Sequence, residues 1–217
     1  MFVELVGSLR CIQPHELTWL VASVSRIEQR DILVGTLGCH VCHATYPIAD
    51  GVADFTVGAP GEVPASEALD AAAADALSVR AAALLDLATP GGVAVLMGAW
   101  GICARPLAEL VPQVHLFLLN APPGIRSGAG VSLANVHDDV PLRPGAARGI
   151  ALDEPHTTPE LVEAAVQTLR PRGRLLAPVS LPVPAGITEL ARDERSWVGV
   201  KEVRPQIVQL QGGRAGR

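Results

Sequence analysis

A chain of 217 residues with 49% hydrophobic positions can bury one good core and carry a small module beside it. A net charge of −5 supplies no basic field for a phosphate backbone, and aromatics at 3% leave no surface for stacking bases, so autonomous nucleic-acid binding is disfavoured. Four cysteines, one of them isolated at Cys103, form no disulfide framework and fit a reducing compartment, read here as the cytoplasm.

The opening Met1 to Leu9 has no basic leader and is interrupted by Glu4, which argues against a signal peptide or membrane insertion. Phe2 to Val6 reads as a strand. Glu16 to Gln29 places Leu17, Leu20, Val21, Val24 and Ile27 at helical spacing and predicts an amphipathic helix. Ile32 to Leu37 is β-like, and Tyr46 to Phe55 turns back as a hairpin. Residues 1–57 therefore read as one module. Glycine and proline in residues 58–65 make a linker, because they block both helix and sheet.

Ser66 can cap a helix carrying Leu69, Ala73, Leu77, Ala81, Leu84 and Leu85 up to Pro90. Beyond Gly92, short apolar runs alternate with helices: strands at Val93 to Met97, His115 to Leu119, Val131 to Ala134, Gly149 to Leu152 and Arg174 to Val179, helices at Ala104 to Val111 and Pro159 to Leu169. That alternation implies an α/β domain over residues 66–211 with a mostly parallel sheet. Its last pair of strands would be Trp197 to Val203 and Gln206 to Leu210, and residues 212–217 read as a flexible tail.

Cys39-His40-Val41-Cys42 has the spacing of a metal knuckle, in which a tight turn brings both sulfurs to one ion. Two thiolates do not close a tetrahedral site. Cys11 and His15 upstream complete a Cys3His set, with His40 and His43 as rival fourth ligands. The same residues also fit reduced, buried thiols beside surface histidines.

With the following Tyr46-Pro47-Ile48-Ala49-Asp50-Gly51-Val52, the knuckle resembles the small zinc-ribbon proteins that activate tRNA and protein methyltransferases as partner subunits. It departs from that pattern at Pro14, where the family's first cysteine pair needs a second cysteine. The strand and helix order, with Leu169-Arg170-Pro171-Arg172-Gly173-Arg174-Leu175-Leu176 before a late strand, is similar to class I S-adenosylmethionine-dependent methyltransferases. Together the two resemblances imply a methyltransferase-like Rossmann-type sheet preceded by a small α+β zinc-ribbon module, with zinc as its metal.

The cofactor positions implied by that second resemblance are weakened. In Met97-Gly98-Ala99-Trp100-Gly101 the family's acid falls on Leu96 and its second glycine on Trp100, where an indole blocks the backbone approach a nucleotide needs. The ribose-binding acid falls on Asn120, and the adenine-side aspartate near Asn135, with Asp138 and Asp139 displaced from it. Asp153, Glu154 and His156 follow the fourth strand on the acceptor side, but His156 reads as a solvated loop histidine.

Two expectations follow. One is a non-catalytic, methyltransferase-like pseudoenzyme with no catalytic residue, not expected to bind S-adenosylmethionine, acting as a structural or protein-binding subunit of an assembly. The other is an active methyltransferase with a remodelled pocket, using Gly98, Gly101, Asn120 and Asp139 toward the cofactor. A different α/β binding domain, with the likeness accidental, is a third.

Overall fold

The computed structural model describes residues 1–56, 73–128 and 130–203. The linker at 58–65, the capping Ser66, the strand over Gln206 to Leu210 and the tail at 212–217 lie outside the described residues.

Eleven strands among the described residues form one sheet. The first four make an antiparallel meander: β1 (Leu20–Glu28), β2 (Asp31–Cys39), β3 (Thr45–Ala49) and β4 (Val52–Asp54). The remaining seven are β5 (Val93–Met97), β6 (His115–Leu119), β7 (Val131–Asn135), β8 (Ala147–Ala151), β9 (Leu169–Pro178), β10 (Ile187–Arg192) and β11 (Ser196–Lys201). Their spatial order is β7-β6-β5-β8-β9-β11-β10, parallel from β7 to β9, with β11 antiparallel to both its neighbours. Counting from β5, the parallel strands follow the 3-2-1-4-5 order of the doubly wound fold. This is the expected mixed α/β, Rossmann-type and mostly parallel sheet.

Period-two alternation explains how the sheet is buried on both faces. Ala94, Leu96, Leu116 and Leu118 pack with α2 (Ala74–Leu84) and α3 (Ala104–Leu110). Val95, Met97, Phe117 and Leu119 pack with α4 (Pro159–Thr168) and with the amino-terminal residues Met1, Leu5, Leu9 and Cys11. Phe117 is fully buried, which stabilises the fold by about 2 kcal/mol relative to exposure. Thr158 caps α4 by accepting from the Leu161 amide, with Pro159 preset for the first turn.

The ribbon and the α/β body are physically continuous. β4 pairs in parallel with β7, joining Val52 to Leu133 and Asp54 to Asn135. Among the described residues, neither the β6–β7 nor the β7–β8 connection contains a helix. Beside the second of these lies the amino-terminal segment, with Leu9 bridged to Leu142, the Arg10 amide donating to the Pro141 carbonyl and the Arg143 amide to the Ser8 carbonyl.

Three elements differ from the sequence reading. Residues 3–6 form one helical turn, α1 (Val3–Val6), instead of a strand, because the Leu5 and Ser8 amides close onto Phe2 and Leu5 while the Phe2 amide donates to Ser132 Oγ. The helix predicted over Glu16 to Gln29 is strand β1. Beyond Leu20 its residues are half-buried or exposed, so no buried alternating face marks it as a strand, and the three-residue spacing of the exposed Val21, Val24 and Ile27 mimics a helix. β10, missed in the sequence, is exposed beyond Ile187 and lacks an apolar stripe.

Candidate functional site

The four predicted metal ligands converge. The Sγ atoms of Cys11, Cys39 and Cys42 and a ring nitrogen of His15 all lie within 4.8 Å of one another. Cys11 Sγ is 3.6 Å from Cys42 Sγ, and Cys39 Sγ is 3.4 Å from His15 Nε2. A tetrahedral zinc with bonds of about 2.3 Å to sulfur and 2.0 Å to nitrogen requires edges of roughly 3.8 and 3.5 Å, so the donor set fits that ion. His40 and His43, the rival ligands, are exposed and outside the group.

Local structure produces this geometry. β2 delivers Cys39, and the Cys39 and His43 amides bond across the knuckle to the Ala44 and Cys39 carbonyls. His43 closes the turn at φ 61. His15 Nδ1 donates to the Glu16 carbonyl at 2.6 Å, which fixes the tautomer and leaves the Nε2 lone pair aimed at the sulfurs. Burial pushes the Cys39 thiol upward but is outweighed by hydrogen bonds from the Cys42 and Val41 amides and the neighbouring thiols, which bring it down to about 6. Such a thiol offers a thiolate at neutral pH. Tyr46, which opens the run that follows the knuckle, lies 3.3 Å from Cys11 Sγ through its hydroxyl and packs against Phe55 with the rings tilted. The Cys11 thiol is pushed up, chiefly by burial.

A second convergence lies at the carboxyl ends of β5, β6 and β8, where strand order reverses and doubly wound sheets bind their ligands. Gly98 takes φ 55 at the start of a 3-10 turn over Gly98–Cys103. The Ala99 amide donates to Asp153 Oδ2 at 2.7 Å, and Trp100 Nε1 donates to the Leu152 carbonyl at 3.1 Å. The turn after β5 is thereby tied to the residues following β8. Gly101 is pressed by the loop after β6: a Cβ there would stand 3.0 Å from Pro122, 3.2 Å from Ala121 and 3.3 Å from Ile125.

Asn120 ends β6 at φ 52 with its side chain turned inward. Its Oδ1 accepts from the Val136 amide at 2.9 Å, and its Nδ2 donates to the Val136 carbonyl and to His156 Nε2 at 3.1 and 3.0 Å. His156 Nδ1 in turn bonds Asp153 Oδ1. His156 is fully buried, which corrects its reading as a solvated loop histidine. The sequence signal was the Asp153-x-x-His156 spacing, since the one helical turn at Glu154–His156 brings positions three apart together. Cys103 is inert, its thiol pushed up to about 12 by burial.

Asp139 is not at the crevice mouth with the other three candidates. Its carboxylate pairs with Arg10 and accepts from the Val140 amide, facing the ribbon. Asp138 and His137 lie beside it, with α4, around a hollow of about 510 Å³. On the far side of Trp100, a cavity of about 600 Å³ is lined by Leu77, Leu152, Asp153, Glu154, Pro178 and Val179.

No protein family and no curated protein matches this sequence. Solved structures do. MycE methyltransferase from the mycinamycin biosynthetic pathway aligns with 63% of this chain and 49% of its own at 11% identity and a TM-score of 0.47. Human N-acetylserotonin methyltransferase, solved with SAM, aligns over 58% and 52% at 14% identity and a TM-score of 0.44. Geranyl diphosphate C-methyltransferase from Streptomyces coelicolor gives 47% and 42%, 15% identity and a TM-score of 0.37. The chain spans about half the length of these structures. The fold assignment rests on the strand order.

Proposed function

We propose that this chain is a non-catalytic, methyltransferase-like protein with a fused zinc ribbon, acting as a structural or protein-binding subunit of an assembly. One observation carries the reading: the polar groups that a nucleoside would use at the ends of β5, β6 and β8 bond one another. Asn120, at the position of the ribose-binding acid, gives its oxygen and its amide to Val136 and His156. Pro122, Ala121 and Ile125 crowd the glycine that would admit the cofactor's backbone approach. An incoming nucleoside would have to break these bonds and leave the buried His156 Nε2 without the Asn120 amide, which costs more than the ribose contacts return.

The ribbon supports the same reading. Its strand β4 is paired with β7 in the same chain, so ribbon and body present one surface to a partner. Zinc held by Cys11, His15, Cys39 and Cys42 would lock the knuckle, supplying structure and no chemistry, because four protein ligands leave no open position. No helix among the described residues is long and apolar enough to cross a membrane.

Titration calorimetry with S-adenosylmethionine tests the proposal: no heat of binding is expected at a hundred micromolar, and a micromolar dissociation constant overturns it. The second reading, an active methyltransferase with a remodelled pocket, is favoured by the cavity beside Trp100 with Asp153 and Glu154 on its wall. The same titration decides between the two.

A further inference from the structure

Among the described residues the sheet ends in two edge strands of different character. β10, at one end, is short and charged, with Arg192 paired to Glu189 across it. That is how proteins blunt an edge against pairing. β1, at the other end, is nine residues long; its own charged pair, Arg26 with Glu28, stands towards its far end, and Val21, Val24 and Ile27 are 64%, 45% and 50% exposed on it. Leu17, Trp19, Val34 and Val41 are also exposed, so seven of the thirteen exposed large hydrophobics among the described residues fall between positions 17 and 41. Val21 and Ile27 fall on one face of the strand and Val24 on the other, so a strand laid along this edge would cover apolar side chains on both faces. The ribbon's opposite edge is unavailable, being paired to β7.

The pattern along β1 identifies the occupant. Residues 21–27 read Val-Ala-Ser-Val-Ser-Arg-Ile, which is nearly palindromic about Val24. An antiparallel copy with Val24 on the two-fold axis sets Val21 against Ile27 at both ends and Ser23 against Ser25 between them. Arg26 then faces Ala22, and no like charges meet. An isologous interface demands this self-complementarity, with residue i meeting j and j meeting i. Cross-strand apolar pairs and matched hydroxyls are the units that stabilise such a pairing. Leu20 marks where the overlap stops, because its amide is already turned to the Leu9 carbonyl.

We infer that the β1 edge is the interface of a homodimer, in which a second copy of this chain pairs antiparallel about Val24 and makes the two sheets one. The inference deepens the binding role proposed above by naming a partner, and it is independent of whether the crevice takes a cofactor. Calorimetry and sedimentation therefore fail separately.

Sedimentation equilibrium of the full chain, from one to a hundred micromolar, tests it. The expected mass is that of two chains at the upper end. Val24→Arg sets two like charges on the axis and should weaken association at least a hundredfold, with circular dichroism unchanged because Val24 is half exposed. Val79→Arg, at an exposed site on α2, should remain dimeric. A wild-type chain that stays monomeric throughout overturns the inference. So does a Val24→Arg variant that still dimerises, or a dimer lost instead on Leu190→Arg at the β10 edge. If Val24→Arg loses its circular dichroism signal, Val24→Cys replaces it: under mild oxidation it should cross-link to its partner while Val79→Cys does not, and equal cross-linking of both overturns the assignment.

Discussion

Two histidines compare the ribbon with the crevice. His15 is held by a backbone carbonyl through Nδ1 and presents Nε2 to the Cys39 sulfur, within a group that also holds the sulfurs of Cys11 and Cys42. His156 is held by Asp153 through Nδ1, and its Nε2 already receives the Asn120 amide. The arrangements share one logic, an oriented imidazole with its second nitrogen aimed at a cluster. In the ribbon four ligand atoms gather within 4.8 Å of one another in a set that one ion could hold together, and in the crevice the polar groups bond one another. Convergence of polar side chains therefore does not mark a ligand site; unspent lone pairs around a common centre do.

Breaking each region should show the difference. The largest effect belongs to the ribbon: Cys39→Ser is expected to take bound zinc from one equivalent to none and, because β4 shares the sheet with β7, to lower the thermal midpoint of the whole chain by roughly 10 °C, about 4 kcal/mol. Metal analysis with calorimetry checks both halves, and a metal-free variant that melts like the wild type would uncouple ribbon from body. His156→Ala comes next. It removes the imidazole that Asp153 Oδ1 and Asn120 Nδ2 both bond, while the Ala99 amide and the Val136 carbonyl still hold those side chains, and should cost about 2 kcal/mol in urea unfolding, with no change in zinc content. The Arg10–Asp139 pair links the two regions and is partly buried, with side-chain exposures of 17% and 27%. A double-mutant cycle with Arg10→Ala and Asp139→Ala should return a coupling of about 1 kcal/mol, and additive losses would show that the pair is incidental.

The sequence was legible where local chemistry decides structure. β5 and β6 are short, wholly apolar runs between turn residues, and the knuckle follows from the two-residue gap between Cys39 and Cys42. His15 was legible from its distance to Cys11. β1 was not, because beyond Leu20 it buries no alternating face, and its exposed Val21, Val24 and Ile27 fall three apart as on a helix. The crevice network was out of reach for another reason: Asn120 and His156 are 36 positions apart and meet only because β6 and β8 flank β5. Asp139 was assigned by its distance along the chain from β7, yet the amino-terminal segment folds back and claims its carboxylate through Arg10. Contacts fixed by a connection, and not by a repeat, leave no pattern to read.

The smallest expected effect lies on the seam between the regions and concerns a third histidine. His115 opens β6, stacks on Phe2 with ring centroids 5.1 Å apart, and meets Ser132 Oγ through Nε2 at 2.9 Å, while the same hydroxyl accepts from the Phe2 amide. Burial, reinforced by the Met1 ammonium, lowers its pKa from 6.5 to about 4. The folded chain thus favours neutral imidazole, so its contribution is fully present above pH 6.5 and is lost as the pH falls toward 4, because the unfolded chain binds the proton first. One such group gives a slope of at most about 1.4 kcal/mol per pH unit in that window. Acid also releases zinc from cysteine and histidine ligands, so the wild-type slope alone would mix two events. His115→Gln keeps the ligands and removes the titration: its unfolding free energy should fall less steeply than the wild type's between pH 6.5 and 4, with the two curves parallel above 7. Equal slopes would mean that the seam opens to water and that Phe2 does not seal the ribbon onto the sheet.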